Sequence, residues 1–402
     1  MAPHSNRAIL ALLVFAVAGV FFAAVSTSDF AAHLDRQVHA ITCAFVPGLT
    51  APDMAGTSGC HAALMSPYSS VLAGWTWGGV PISLLALAVF AFLTCHALVV
   101  LLQRRAVDRS ETTFLLAATA LPVVVSLLYL FLSVTRVGAL CKVCVAIYVA
   151  SAGVFAAAVM AHRRAAPAST TPAPWGRWAA LFALGVAFVV VPTAAYLALK
   201  PAYPASVSGC GALAHPEDRY GVRVKLTAGT VPAVEVLDPL CPACKALSLR
   251  LDLSGLDRTL GIEAALFPLD RECNWMVSES VHPGACAASE AVLCAGTQID
   301  AVLSYLFAHQ DELRQLGTGG EKAVADRIVS QFPAMASCIG SASTRTRLNR
   351  SLRWAVSNSL PVLTPQLFIR GRKVCDEDMD LGLEYVAPQL AAAAGPAPRR
   401  AR

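Results

Sequence analysis

The chain has 402 residues, 56% of them hydrophobic and 14% charged, with a formal charge of +5 and a mean hydropathy of +0.58. That composition is too apolar for an ordinary soluble domain, and neither the small net charge nor any basic stripe with interleaved aromatics points to nucleic acid. Thirteen cysteines are many for a reducing cytosol, so the chain is expected to face an oxidising compartment unless the cysteines hold metal.

Five apolar segments reach the roughly 20 residues needed to cross a bilayer: Ala8–Val25, Gly79–Leu102, Phe114–Val134, Ala139–Ala161 and Trp178–Leu199. The first also reads as a signal peptide, because Arg7 precedes it and Ala23–Ser26 is cleavage-like. Arg7, the group Arg104, Arg105 and Arg109, and the group Arg163, Arg164 and Arg177 all fall on one side of such a bundle. Cytoplasmic loops carry that excess. The loop 26–78, the turn 135–138 and everything after Lys200 are then expected outside, together with nearly every cysteine except Cys95.

The long outer loop carries Cys43 and Cys60 with Pro47, Gly48, Pro52, Gly56 and Gly59 between them, an irregular stretch. Ser66 follows, readable as a helix N-cap ahead of Pro67. Ser69–Gly74 reads as a short interfacial helix, and Trp75 and Trp77 fit an aromatic belt. After a break at Arg136–Gly138 comes Cys141–Lys142–Val143–Cys144, opening the fourth span, with Tyr148 four residues on. Two thiols at this spacing sit one helical turn apart and can close a disulfide, so they can hold or release two electrons. Buried cysteines also serve as small apolar residues, and Tyr148 fits a belt tyrosine as well as a ligand contact.

Ala165–Pro174 is an Ala/Pro/Ser/Thr-rich linker before the fifth span. From Ala205 the chain reads as water-soluble. Val231–Leu237 is a buried-strand run, and Cys241–Pro242–Ala243–Cys244 then opens a helical segment, Lys245–Leu253. A thiol at a helix N-terminus is stabilised as the thiolate. Glu290–Gln298, Ala301–Gln315 and Lys322–Gln331 read as helices, and Val362–Ile369, containing Thr364–Pro365, as a strand. Six further cysteines, Cys210, Cys273, Cys286, Cys294, Cys338 and Cys375, allow 15 pairings in three disulfides. Cys286 and Cys294 in one helix would lie roughly 12 Å apart along its axis and could not bond each other. Cys273–Cys286 is the expected pair.

The C-terminal part resembles the thioredoxin fold, in the form used by oxidative disulfide carriers of the bacterial envelope. The matching residues are Cys241–Pro242–Ala243–Cys244, the acid Glu235 six positions earlier, and Thr364–Pro365, whose proline lies in cis against the disulfide in that fold. A zinc ribbon would want a second soluble Cys pair at similar spacing, which the sequence lacks. Residues 8–161 resemble the vitamin K epoxide reductase family, specifically its bacterial members fused to a thioredoxin-like domain. Cys141 and Cys144 match its membrane pair, Tyr148 the tyrosine over its quinone pocket, Cys43 and Cys60 its loop pair, Ser66 its serine, and Gly79–Val80–Pro81 the start of its second span. The loop pair is more widely spaced here than usual, and Trp75 or Trp77 stands where the family has a second polar residue for the quinone.

Together the resemblances imply a multi-pass α-helical membrane bundle, a four-helix catalytic core plus a fifth linking span, followed by an α/β thioredoxin-like domain with a helical insertion. The expected parts are a membrane domain over residues 1–161, a cytoplasmic linker and fifth helix over 162–204, the thioredoxin-like domain over 205–395 and a basic tail over 396–402. They imply a relay in the bacterial plasma membrane. Reduced envelope or secreted proteins give electrons to Cys241, the exposed attacker, with Cys244 resolving. The Cys43–Cys60 pair carries them to Cys141, and Cys144 attacks a quinone of the menaquinone or ubiquinone type. Ser66 and Tyr148 hold the quinone oxygen, Glu235 tunes proton transfer, and neither metal nor nucleic acid takes part. A reductase running the relay outward and a membrane-anchored thioredoxin-like binding module are the rival readings. An anchor, however, needs one span and no thiols in the membrane.

Overall fold

An apolar helix in lipid satisfies its own backbone hydrogen bonds and needs no polar face, and helices of this kind build the first half of the chain. A computed structural model describes residues 3–34, 59–103, 107–165, 175–200 and 210–393. The chain divides into two units, Met1–Ala202 and Tyr203–Arg402.

In the first unit α1 (Pro3–Leu34) is followed by α2 (Gly59–Leu64), a short 3-10 turn (Pro67–Ser69) and the two-residue strands β1 (Ser70–Val71) and β2 (Val80–Pro81). Then come α3 (Ile82–Leu102), α4 (Arg109–Leu132), α5 (Lys142–Arg164) and α6 (Trp175–Leu199). Five of these helices are long and apolar enough to span a membrane, each on a segment expected to do so. Helix α1 packs on α3 and α5, α4 on α5, and α6 on α3. Their shared core includes Leu12, Phe90, Leu93, Leu115 and Val154. Outward-facing Leu121, Val124, Leu127 and Phe131 on α4, and Phe182 and Val191 on α6, stay exposed, as a lipid-facing surface requires.

The helix expected over Ser69–Gly74 is not there. β1 pairs antiparallel with β2, Ser70 opposite Pro81 and Val71 opposite Val80, so the chain must reverse between them. Leu72, Gly78 and Gly79 take φ of 61°, 71° and 69° for that reversal, and left-handed backbone cannot continue a helix. The break at Arg136–Gly138 is present as a widened turn, Ser133–Val137, ended by Gly138 at φ 70°. At the opposite end of the bundle, Asp108 caps α4 by accepting from Glu111 N–H at 2.7 Å. Arg177 of α6 pairs with Asp108 at 3.1 Å and with the fully enclosed Glu111 carboxylate.

The second unit holds a five-stranded sheet ordered β3-β5-β4-β6-β7. It begins with β3 (Val224–Lys225), β4 (Val231–Leu237), α7 (Pro242–Ser254), α8 (Leu256–Thr259) and β5 (Leu260–Leu266). After β5 come α9 (Ala285–Cys294), α10 (Ile299–Ala308), α11 (Gln310–Gly317), α12 (Glu321–Gln331) and α13 (Ala342–Ser357). β6 (Gln366–Ile369), β7 (Arg372–Lys373) and α14 (Leu383–Ala392) complete the unit. β4 and β5 run parallel and the other pairs antiparallel. The single helix expected over Ala301–Gln315 is two, broken at His309. Helix α9 stops at Cys294, before the expected Gln298. Three disulfides tie this unit: Cys210–Cys375, Cys273–Cys286 and Cys294–Cys338. Cys286 and Cys294 share α9 and bond elsewhere, as the helix rise requires.

Candidate redox sites

Each C-x-x-C pair sits where a helix begins. Cys141 is the N-cap of α5, and its Sγ accepts the Cys144 backbone N–H at 3.2 Å. Around the pair lies a cavity of about 490 Å³, within the size range of small-molecule sites. Cys60, Ser66, Cys141, Cys144 and Tyr148 all line it, amid apolar side chains from α1, α3, α4 and α5. Sequence positions 60, 66, 141, 144 and 148 are therefore brought to one chamber. Cys60 is disulfide-bonded, and Cys43 lies outside the described residues. Ser66 precedes the 3-10 turn without capping it, and its hydroxyl donates to Ala63 O at 2.8 Å instead.

Gly59 explains how the Cys60 helix reaches this chamber. A Cβ at Gly59 would stand 2.3 Å from the Leu140 carbonyl oxygen. Only a glycine lets α2 lie against the residue that precedes Cys141.

In the second unit Cys241 is the N-cap of α7, with Pro242 as the first helical residue, where a missing N–H costs nothing. Its Sγ lies 3.5 Å from the Thr364 carbonyl, beside the cis Thr364–Pro365 bond. The expected open attacker is in fact enclosed: Cys241 is 4% exposed and Cys244 not at all. A hydrogen bond from Cys244 does most to bring the Cys241 thiol down to about 6; burial opposes it, and Thr364, the Cys244 N–H and the charge of His282 assist. Burial and the bond to Cys241 push Cys244 well above the ordinary thiol value. Glu235 on β4 is wholly enclosed, and burial, with the nearby Cys241 charge, raises its carboxyl to about 8. Its Oε1 has no hydrogen-bond partner. One thiol is thus poised to ionise and the other to stay protonated, with a proton-bearing acid below them.

The sequence reading missed Asp238 and His282, which meet at 2.8 Å beside this pair. Cys273, Cys286 and Glu321 also converge with ligand-like spacing, but the two sulfurs are bonded to each other.

No curated protein and no solved structure matches the chain. Residues 10–159 match the model of the Vitamin K epoxide reductase family; that stretch holds most of four of the five helices long and apolar enough to cross a membrane, and a match to that family implies a membrane thiol–disulfide oxidoreductase.

Proposed function

We propose that the chain oxidises thiols of envelope or secreted proteins and passes their electrons to a membrane quinone. The observation that carries this reading is the pairing of two C-x-x-C dithiols, each opening a helix: one against an apolar chamber, the other with its first thiol at about 6. In this reading residues 205–395 are a thioredoxin-like domain outside a bacterial plasma membrane, residues 1–161 the quinone-reducing bundle and residues 162–204 the connection. The five-stranded sheet, the N-capping Cys241 and the cis-proline beside it support the thioredoxin-like assignment.

The chamber fits a quinone head-group: its wall is predominantly apolar, with the Cys141 and Cys144 thiols and polar groups that include Ser66, Tyr148 and Asp29. A quinone there accepts two electrons and two protons. A client thiolate attacks Cys241 and releases Cys244, and the client's second thiol resolves the mixed disulfide, leaving the Cys241–Cys244 pair reduced. Cys43 and Cys60 carry the electrons to Cys141, and Cys144 delivers them to the acceptor. Tyr148 orients the acceptor's oxygen, and Ser66 joins it once its hydroxyl turns from Ala63 O. Glu235 supplies or takes the proton that Cys244 exchanges. Cys241's low pKa favours this direction over outward reduction, because a low-pKa sulfur leaves readily and its reduced form is stabilised.

Detergent-purified protein given a reduced client and a quinone, with quinone absorbance followed, tests the proposal. Wild type should turn over. Cys144→Ser should abolish quinone reduction, and Cys141→Ser should stop steady turnover. Wild-type rates from both variants would remove the membrane pair from the mechanism.

A further inference from the structure

The turn leading into the C-terminal C-x-x-C is held by a polar network that the relay does not itself employ. Asp238 has no exposed surface and stands three residues before Cys241. Its Oδ1 accepts Leu240 N–H at 2.8 Å, its Oδ2 accepts Leu269 N–H at 2.8 Å, and its backbone carbonyl accepts Cys241 N–H at 3.1 Å. The same Oδ2 lies 2.8 Å from His282 Nδ1. From another side, Gln310 Nε2 donates to the carbonyls of Pro239 and Cys241, both at 3.0 Å. One carboxylate thus ties the Cys241 turn to an imidazole from a distant stretch of chain.

That imidazole is not free to drift. His282 is 6% exposed and belongs to the connection between β5 and α9. The Cys273–Cys286 disulfide closes this connection, and the fully buried Asp270 braces it. Asp270 accepts Ser280 Oγ–H at 2.7 Å and Gly284 N–H at 2.7 Å, while His282 N–H donates to Leu269 O at 3.1 Å. The charged groups around the ring are Asp238 at the end of β4, Cys241 at the start of α7 and Arg314 on α11. Burial works against the imidazolium, the bond to Asp238 and its charge work for it, Cys241 adds to them, and Arg314 opposes; the net effect raises the His282 pKa. At so buried a position the protonated form of the ring acts on a sulfur within its reach more strongly than it would in solvent.

We propose that His282, fixed by Asp238, is a positioning residue that helps hold Cys241 as a thiolate each time that sulfur is released, favouring the C-terminal pair as an oxidant. This rests on the relay proposed above. A client thiolate attacks Cys241 Sγ and breaks the Cys241–Cys244 bond, and the Cys244 sulfur takes a proton. The client's second thiolate attacks the client sulfur of the mixed disulfide, closing the client's own bond and expelling Cys241 as a thiolate. The client loses two electrons and two protons. The C-x-x-C gains the electrons, one proton stays on Cys244 and the other returns to water. The expulsion is faster the lower the leaving sulfur's pKa.

The test uses the full chain in detergent. Alkylation of Cys241 by iodoacetamide is followed by peptide mass spectrometry from acid to alkaline pH, alongside client oxidation. His282→Gln should move the Cys241 midpoint up by about one unit, as loss of an opposite charge does, and slow client oxidation. His282→Lys should restore both. Should His282→Gln not fold, NMR of wild type labelled at histidine Cε1 decides, because the influence is mutual: the His282 midpoint should be higher with Cys241 reduced than with the disulfide closed. Unchanged alkylation in His282→Gln, or an unchanged His282 midpoint between the two redox states, overturns the proposal. If wild type exchanges no thiols with any client, the relay is at fault, whereas the alkylation profile of the reduced protein still reports on His282.

Discussion

Two cysteines three positions apart become chemically unlike when a helix begins at the first of them. Cys241 gathers hydrogen bonds at the N-cap, while Cys244 is sealed inside the first turn. Their spacing is local, so this division of roles was legible in the sequence, as was Glu235 on a buried strand. The pair Asp238–His282 was not, because forty-four positions separate its members and only the folded chain joins them. Glu235 carries a pH consequence. Its folded pKa, about 8, lies above the ordinary carboxyl value of 4.5. Between those values the native state holds a proton that the unfolded state has lost, so stability falls as pH rises through that window and levels off above it. Oxidised protein lacks the Cys241 charge, so burial alone then raises this carboxyl, and its stability should still fall as pH rises above about 5. Denaturant unfolding of wild type against Glu235→Gln reads the difference. Equal pH slopes would show that Glu235 is not held protonated.

At the scale of elements, hydrophobic length made the spanning helices readable, since lipid imposes one rule on all of them. Short elements were harder. Ser69–Gly74 has helical composition, but the pairing of Ser70 with Pro81 depends on residues further along the chain. β5 and α13 escaped notice because Leu260–Leu266 is a short apolar run that periodicity alone does not assign to strand or helix, and α13 is largely polar outside its face of Leu348, Leu352 and Trp354. Gly59 gives α2 a measurable role. Gly59→Ala would drive a methyl group into the Leu140 carbonyl, shifting α2 and Cys60 away from Cys141. Client-driven quinone reduction should fall several-fold, while turnover driven by a small dithiol that enters the chamber directly should persist. Equal loss of both rates would mean that Gly59 supports the bundle rather than the Cys60 contact.

For the whole molecule the arginine pattern gives the clearest expectation. Arg7, Arg164 and Arg177 lie at the helix ends opposite Cys60 and Cys141, and positive charge marks the cytoplasmic side. In intact spheroplasts an impermeant thiol reagent should label reduced Cys241, and a tag placed in 165–174 should stay protected. A reachable tag with a protected Cys241 would turn the relay the wrong way round. The sequence could announce two units through its change of composition near residue 205. It announced the six cysteines and the pair Cys273–Cys286 but not the other two bonds, because Cys210 and Cys375 meet across 165 positions.

Those three bonds have a consequence for the protein's own birth. Each newly made chain must surrender six electrons before Cys210–Cys375, Cys273–Cys286 and Cys294–Cys338 are closed, and the second of these bonds then helps fasten the loop bearing His282. Where this protein is the source of oxidising power, young copies are among its customers. Its supply is then self-propagating: cells stripped of it would recover slowly at first, then at a rising rate, as mature copies finish the next generation.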